Sequence, residues 1–203
     1  MKQYKFSLVA FGLLLGLAAS SQQRTLKFEI NQNTALPTGN FRNLTDKTSF
    51  NGWDAAFMYG ITDQVSVGVQ TGFQDFYQKY DRQVYHSSGN DLSAVVSNSL
   101  QLMPLLLKGK YKLMEAGIVQ PFVALGVGGN IVQYSKYYGQ FNDSKTKFSF
   151  MAQPEAGIQI PVGRSKRVGI NVSAAYAYVP FQYNEVDGLH HASVKAGVSI
   201  PLR

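Results

Sequence analysis

The 203-residue chain contains no cysteine, so neither a disulfide framework nor a thiolate metal site can hold it together. Histidine is scarce, with three in all. His190 and His191 are adjacent, which on a strand sends them to opposite faces, and His86 stands alone in a polar stretch, so no metal site is expected. Beyond residue 21 no apolar run is long enough for a spanning helix, and the chain has no Pro- or Ser-rich linker and no low-complexity tract. Charged residues make up only 15% of the chain, and the formal net charge of +7 is not gathered into a dense Lys/Arg cluster. A nucleic-acid partner is therefore not expected.

The first segment that is present reads as a secretory leader. Lys2 and Lys5 give a positive start, Phe6 to Ala19 is a run of 14 residues with Ser7 its only polar member, and Ala18, Ala19, Ser20 and Ser21 are small. Such a run rises about 21 Å at roughly 1.5 Å per residue, short of a bilayer core of roughly 30 Å, so it is too short to span. The expectation is a signal peptide over residues 1–21, cleaved near Ser21, and one domain over 22–203. Without the leader the chain keeps 17 basic and 12 acidic residues.

The domain is dominated by alternation. From Val65 to Phe73 the odd positions are Val, Val, Val, Thr and Phe, while the even ones are Ser66, Gly68, Gln70 and Gly72. That is the period of a strand with one greasy face. The same pattern recurs at Val119–Ile131, Phe148–Val162, Val168–Tyr178 and Val194–Leu202. Eight strands are expected, near 24–33, 52–61, 64–76, 95–112, 119–135, 146–162, 167–180 and 189–202. Strand four is apolar on both faces from Leu100 to Leu107 around Pro104, and a bulge is expected there.

The connections alternate as well. Tight ones at Thr62-Asp63, Glu115-Ala116-Gly117 and Gly163-Arg164-Ser165-Lys166 interleave with long polar stretches near 34–51, 77–94, 136–145 and 181–188. Short and long ends therefore fall on opposite sides. This predicts an all-β, eight-stranded antiparallel up-and-down transmembrane β-barrel with short periplasmic turns and four longer extracellular loops. Aromatic residues gather where strands meet the long stretches: Trp53, Phe73, Phe76, Tyr77, Tyr134, Tyr137, Tyr138, Phe148, Phe150, Tyr176, Tyr178, Phe181 and Tyr183. They are expected to form a girdle at the headgroup level. If the apolar face is outward, Asp54, Gln70, Gln153, Glu155, Gln159, Asn171 and Lys195 point inward as a polar lumen network, with Lys108 and Lys110 as further members. A buried charge is costly unless paired, so Glu155 should bond an inward lysine or lie in a wet lumen.

Several stretches carry a family resemblance: Ala35-Leu36-Pro37-Thr38-Gly39-Asn40-Phe41, Ile61-Thr62-Asp63-Gln64-Val65-Ser66-Val67-Gly68, Gln120-Pro121-Phe122-Val123 with Gly126-Val127-Gly128, and Pro154-Glu155-Ala156-Gly157. Over nearly all of the domain the chain resembles the small outer-membrane β-barrel family common in Bacteroidetes-type bacteria, loosely related to OmpA- and OmpX-like eight-stranded barrels. The resemblance implies a place in the cell outer membrane. It also implies outer-membrane lipids as partners, with periplasmic chaperones and the barrel-insertion machinery during assembly, and a monomeric state. The chain finishes Pro201-Leu202-Arg203, departing from the aromatic last residue common in such barrels.

Chemistry is sparse. His191-Ala192-Ser193 is similar to the His-x-Ser pair of outer-membrane lipid A deacylases, but no Asp or Glu follows Asp187 to orient the base, so no catalytic site is expected. Gly126-Val127-Gly128-Gly129 lies inside a strand pattern without the helix or Lys-Ser/Thr of a phosphate loop. No cofactor is implied. Two function classes follow: a non-enzymatic envelope protein whose barrel anchors surface loops for structure or contact, and a narrow pore or small-molecule transporter.

Overall fold

The computed structural model describes residues 25–79, 83–87, 90–94, 96–114, 117–138, 141–163, 168–183 and 186–202. The leader expected over residues 1–21 lies outside them. Eight strands close into a barrel: β1 (Leu26–Pro37), β2 (Ser49–Gly60), β3 (Val65–Lys79), β4 (Val96–Lys112), β5 (Gln120–Tyr138), β6 (Phe141–Val162), β7 (Val168–Ala177) and β8 (His191–Leu202). Each strand pairs antiparallel with its neighbours in the chain, and β1 pairs with β8 to close the ring. The topology is the up-and-down barrel that the alternating connections predict.

Alternation builds the wall. Along β7 exposure and burial switch at every residue, with Ile170, Val172 and Tyr176 outward and Asn171, Ser173 and Ala175 inward. The outer face is apolar on all eight strands; Ile30, Phe57, Val69, Leu107, Val127, Ile158, Val172 and Val198 are examples. Burying such a side chain contributes about 1.5–3 kcal/mol, which an aqueous surround would forfeit and lipid supplies. Among the described residues no helix is long and apolar enough to cross a membrane.

At the short end, Ile61 and Thr62 both donate to the Val65 carbonyl, and the Thr62 hydroxyl accepts from Val65 N at 2.9 Å, pinning the β2–β3 turn. At the opposite end the β1–β2 connection carries a short 3-10 helix, Gly39–Asn43. Two small hairpins, Gln83–Ser87 with Asn90–Ala94 and Gln182–Tyr183 with Val186–Asp187, occupy the β3–β4 and β7–β8 connections.

Two local expectations need correction. The polar stretch at 136–145 is strand for almost all its length: β5 and β6 stay in register up to Tyr138 opposite Phe141. Polarity marked the end of the bilayer-facing wall, whereas backbone pairing continues above it; Ser144, Lys145, Thr146 and Lys147 of β6 are exposed on both faces. The bulge is not at Pro104 either. The β3–β4 register is the same at Val65 opposite Tyr111 and at Lys79 opposite Ser97, and β4–β5 runs unbroken through Pro104 opposite Asn130. The β3–β4 pairing only skips Gly72 and Phe73 at the height of Pro104, where proline has no N–H to give; the Pro104 carbonyl instead accepts from Thr71 Oγ1 at 3.1 Å. The register shift occurs in β2. Asn33 faces Gly52 while Ala35 faces Ser49, leaving Phe50 and Asn51 consecutive and both exposed.

Candidate functional site: the barrel lumen

The inward faces form two layers. Toward the loop end they are apolar: Leu100, Leu102 and Leu106 of β4, Val132 of β5 and Met151 of β6 pack with Phe76 of β3. Loop residues complete this plug. Phe41 from the 3-10 helix meets Phe76 edge-on at 4.9 Å, and Val179, Phe181 and Leu189 close the same cluster from the β7–β8 connection. This layer explains why strand four is apolar on both faces: one side greets lipid and the other the plug.

Below the plug lies the charged layer, centred on Glu155. Its Oε2 accepts from Lys108 Nζ at 2.9 Å and stands 3.4 Å from Lys195 Nζ, while Oε1 accepts from Ser173 Oγ at 2.9 Å. Lys195 Nζ also reaches Asp54 Oδ2 at 3.0 Å and Gln153 Oε1 at 3.0 Å. Asn31 Nδ2 donates to Asp54 Oδ1 at 2.8 Å, and Gln70 Nε2 donates to Gln153 Oε1 at 3.0 Å. A second ion pair, Lys110 Nζ to Glu29 Oε1 at 2.8 Å, sits beside it, with the Lys110 ammonium 4.1 Å from the Phe122 ring centre. All six charged side chains are at most 4% exposed. Three cations face three carboxylates, the balance that burial of charge demands.

The structure therefore brings Asp54, Gln70, Gln153, Glu155 and Lys195 into one network with Lys108. Gln159 and Asn171 are also buried and inward, opposite one another on β6 and β7. Glu29, Asn31 and Ser173 belong to the layer and escaped the sequence reading. Their signal was present, since Glu29 and Asn31 alternate with Phe28 and Ile30.

The expected girdle divides. Trp53, Phe148, Phe150, Tyr176 and Tyr178 face outward and are exposed, Phe148 most of all at 77%; Tyr77 is exposed too, and Phe73 is half-buried on the outward positions of β3. Phe76 does not belong to it. It is 1% exposed and lies in the plug, because it shares the parity of Gln70 and Gln74. Phe181 is buried in the same cluster, and Tyr134, half-buried, packs against it. The side chains of Tyr137, Tyr138 and Tyr183 lie outside the described ones.

His190 stacks on Tyr178 at 4.6 Å, and its Nδ1 accepts from Val179 N at 3.0 Å. His191 and Ser193 are buried on the inward face, with His191 Nδ1 donating to the Leu189 carbonyl at 3.2 Å. Both residues border an internal cavity of about 20 Å³ shared with Asp54, Gln70, Gln74 and Gln153. That is room for about one water. No group of three metal-ligating side chains occurs among the described residues.

Comparison with known proteins agrees with this architecture. The family described as outer membrane protein beta-barrel domain matches residues 7–200. No curated protein sequence matches the chain. Among solved structures it is similar to Neisserial surface protein A, at 14% identity over 87% of this chain and 96% of that one, with a TM-score of 0.55. It is also similar to the outer membrane protein OprG of Pseudomonas aeruginosa, at 11% identity over 89% and 98%, with a TM-score of 0.51. At such identities these likenesses speak for the fold alone. With the family matched over almost its whole length and the closed eight-stranded barrel in place, this chain belongs to the outer membrane protein β-barrel domain family.

Proposed function

We propose that this outer-membrane protein is not an enzyme and that its barrel serves as a rigid anchor for loops and extended strands used in envelope structure or surface contact. The observation that carries this reading is the filled lumen. Among the described residues an apolar plug covers the loop end, a neutral ion-pair layer lies beneath it, and a cavity bordered by both has room for about one water. What extends beyond the plug is wall: β3, β4, β5 and β6 stay paired above it to Lys79, Val96, Tyr138 and Phe141. In this reading residues 1–21 are a cleaved leader. The working state is a monomer held by outer-membrane lipids on its apolar outer face, after delivery by periplasmic chaperones and the insertion machinery.

The test is conductance of the refolded protein in a planar lipid bilayer, once boiled and unboiled samples are seen to migrate differently on a gel. A folded and silent barrel is the expected result. Discrete steps that change with Glu155→Gln would sink the anchor reading in favour of a narrow pore. Deleting residues 80–95 should then leave the barrel folded while removing the surface phenotype.

A further inference from the structure

Two lysines face the lumen below the balanced layer. Lys27 continues the inward parity of Glu29 and Asn31 on β1, and Lys112 that of Lys108 and Lys110 on β4. Both are half-buried, and they lie against one another across the lumen, next to the Glu29–Lys110 pair. The neighbouring Glu29 carboxylate is already held by Lys110 at 2.8 Å. Among the described residues neither Lys27 nor Lys112 has an ion-pair partner. Ser199 stands opposite Glu29 on the β1–β8 ladder, one inward step above Lys27; it is fully buried, and its hydroxyl has no hydrogen-bond partner among the described residues.

Two ammonium groups held in contact beside low-dielectric walls repel, and an anion placed between them turns that repulsion into two attractions. The short-turn end of such barrels faces the periplasm, and the half-exposure of both lysines leaves a way in from there. We propose that Lys27 and Lys112, with the Ser199 hydroxyl one inward step above Lys27, form an anion site at the periplasmic mouth of the barrel that takes a phosphate group. A phosphate offers oxygens to both ammonium groups at once, and its negative charge offsets the excess of cations left after the upper layer is balanced. The group comes either from a phospholipid headgroup of the inner leaflet or from a free phosphate compound in the periplasm.

The test uses the full chain refolded in alkyl maltoside micelles, which carry no phosphate, with inorganic phosphate as the probe. Equilibrium dialysis at constant ionic strength, with chloride as the balancing anion, should show saturable binding of one phosphate per chain. The thermal midpoint, followed by gel mobility, should rise with phosphate and not with chloride. Lys27→Gln and Lys112→Gln should each weaken binding at least tenfold, while Lys112→Gln in phosphate-free buffer melts no lower than wild type because a repulsion has been removed. No phosphate bound above the chloride control in the wild-type protein overturns the proposal, as does binding unchanged in both variants; the first reading needs no variant to fold. Repeating the dialysis in phosphatidylglycerol vesicles separates the sources. Reduced binding of free phosphate there assigns the site to the headgroup, and undiminished binding assigns it to a free periplasmic anion.

Discussion

Glu155 and Lys108 meet at 2.9 Å although their strands, β6 and β4, never pair, because β5 runs between them. Lys195 of β8 likewise reaches over β1 to Asp54 on β2, and over β7 to Glu155. The charged layer thus ties together strands that the backbone ladder leaves apart, and it does so where the lumen is too narrow to hydrate each charge separately.

Glu155→Gln removes one of three carboxylates and leaves Lys108 and Lys195 competing for Asp54 and neutral acceptors. Breaking a buried pair in this way costs roughly 3–5 kcal/mol, so the variant should unfold at clearly lower temperature and denaturant. Heat-modifiable gel mobility across a temperature series reads this directly. A melting profile identical to wild type would mean the layer is hydrated rather than buried.

Phe76→Ala tests the plug. The side chain touches Phe41 and stands 5.4 Å from the His191 ring, so truncation opens a cavity in the apolar layer and should cost about 3–5 kcal/mol. Trp53 and Phe148, on the outer face, should tolerate Leu with far smaller losses in the same unfolding assay. Equal costs at inner and outer positions would contradict the placement of Phe76 inside.

Leu107→Arg examines the outer face. Leu107 is outward and exposed on β4, on the same face as Leu105 and Tyr111. An arginine on a lipid-facing strand near the bilayer midplane costs about 2–4 kcal/mol, and the cost falls toward the interfaces. Folding yield into vesicles and the urea midpoint should both drop for Leu107→Arg, while Thr146→Arg, on the solvated part of β6, leaves them unchanged. Tolerance of Leu107→Arg would mean that this face is wet.

Strand number, order and facing were legible because a barrel wall separates two solvents, and a period of two sorts every residue to one of them. Asp54, Gln70, Gln153, Glu155 and Lys195 could therefore be placed inward by parity once the apolar face was taken as outward, whereas their partners could not. The Lys195–Asp54 contact depends on the stagger of β8 against β1 and of β1 against β2, and on the shift that Phe50 and Asn51 introduce in β2. Aromatic character misled at Phe76, since clustering near a loop says how high a ring sits and not which way it points. Pro104 misled for a related reason. An apolar run on both faces signals a break only if its inward side chains lack apolar partners, and Leu100, Leu102 and Leu106 find theirs in the plug.

The chain by itself determined a β-barrel of eight strands, its short and long ends, and which residues of each strand share a face. These follow from local alternation and turn chemistry, which no distant residue has to complete. Only the closed structure decided that the lumen is stacked as apolar plug over neutral ion-pair layer, and that Lys27 and Lys112 are left together at the mouth. Contacts across a lumen join side chains far apart in sequence, and their geometry is set when the last strand pairs with the first.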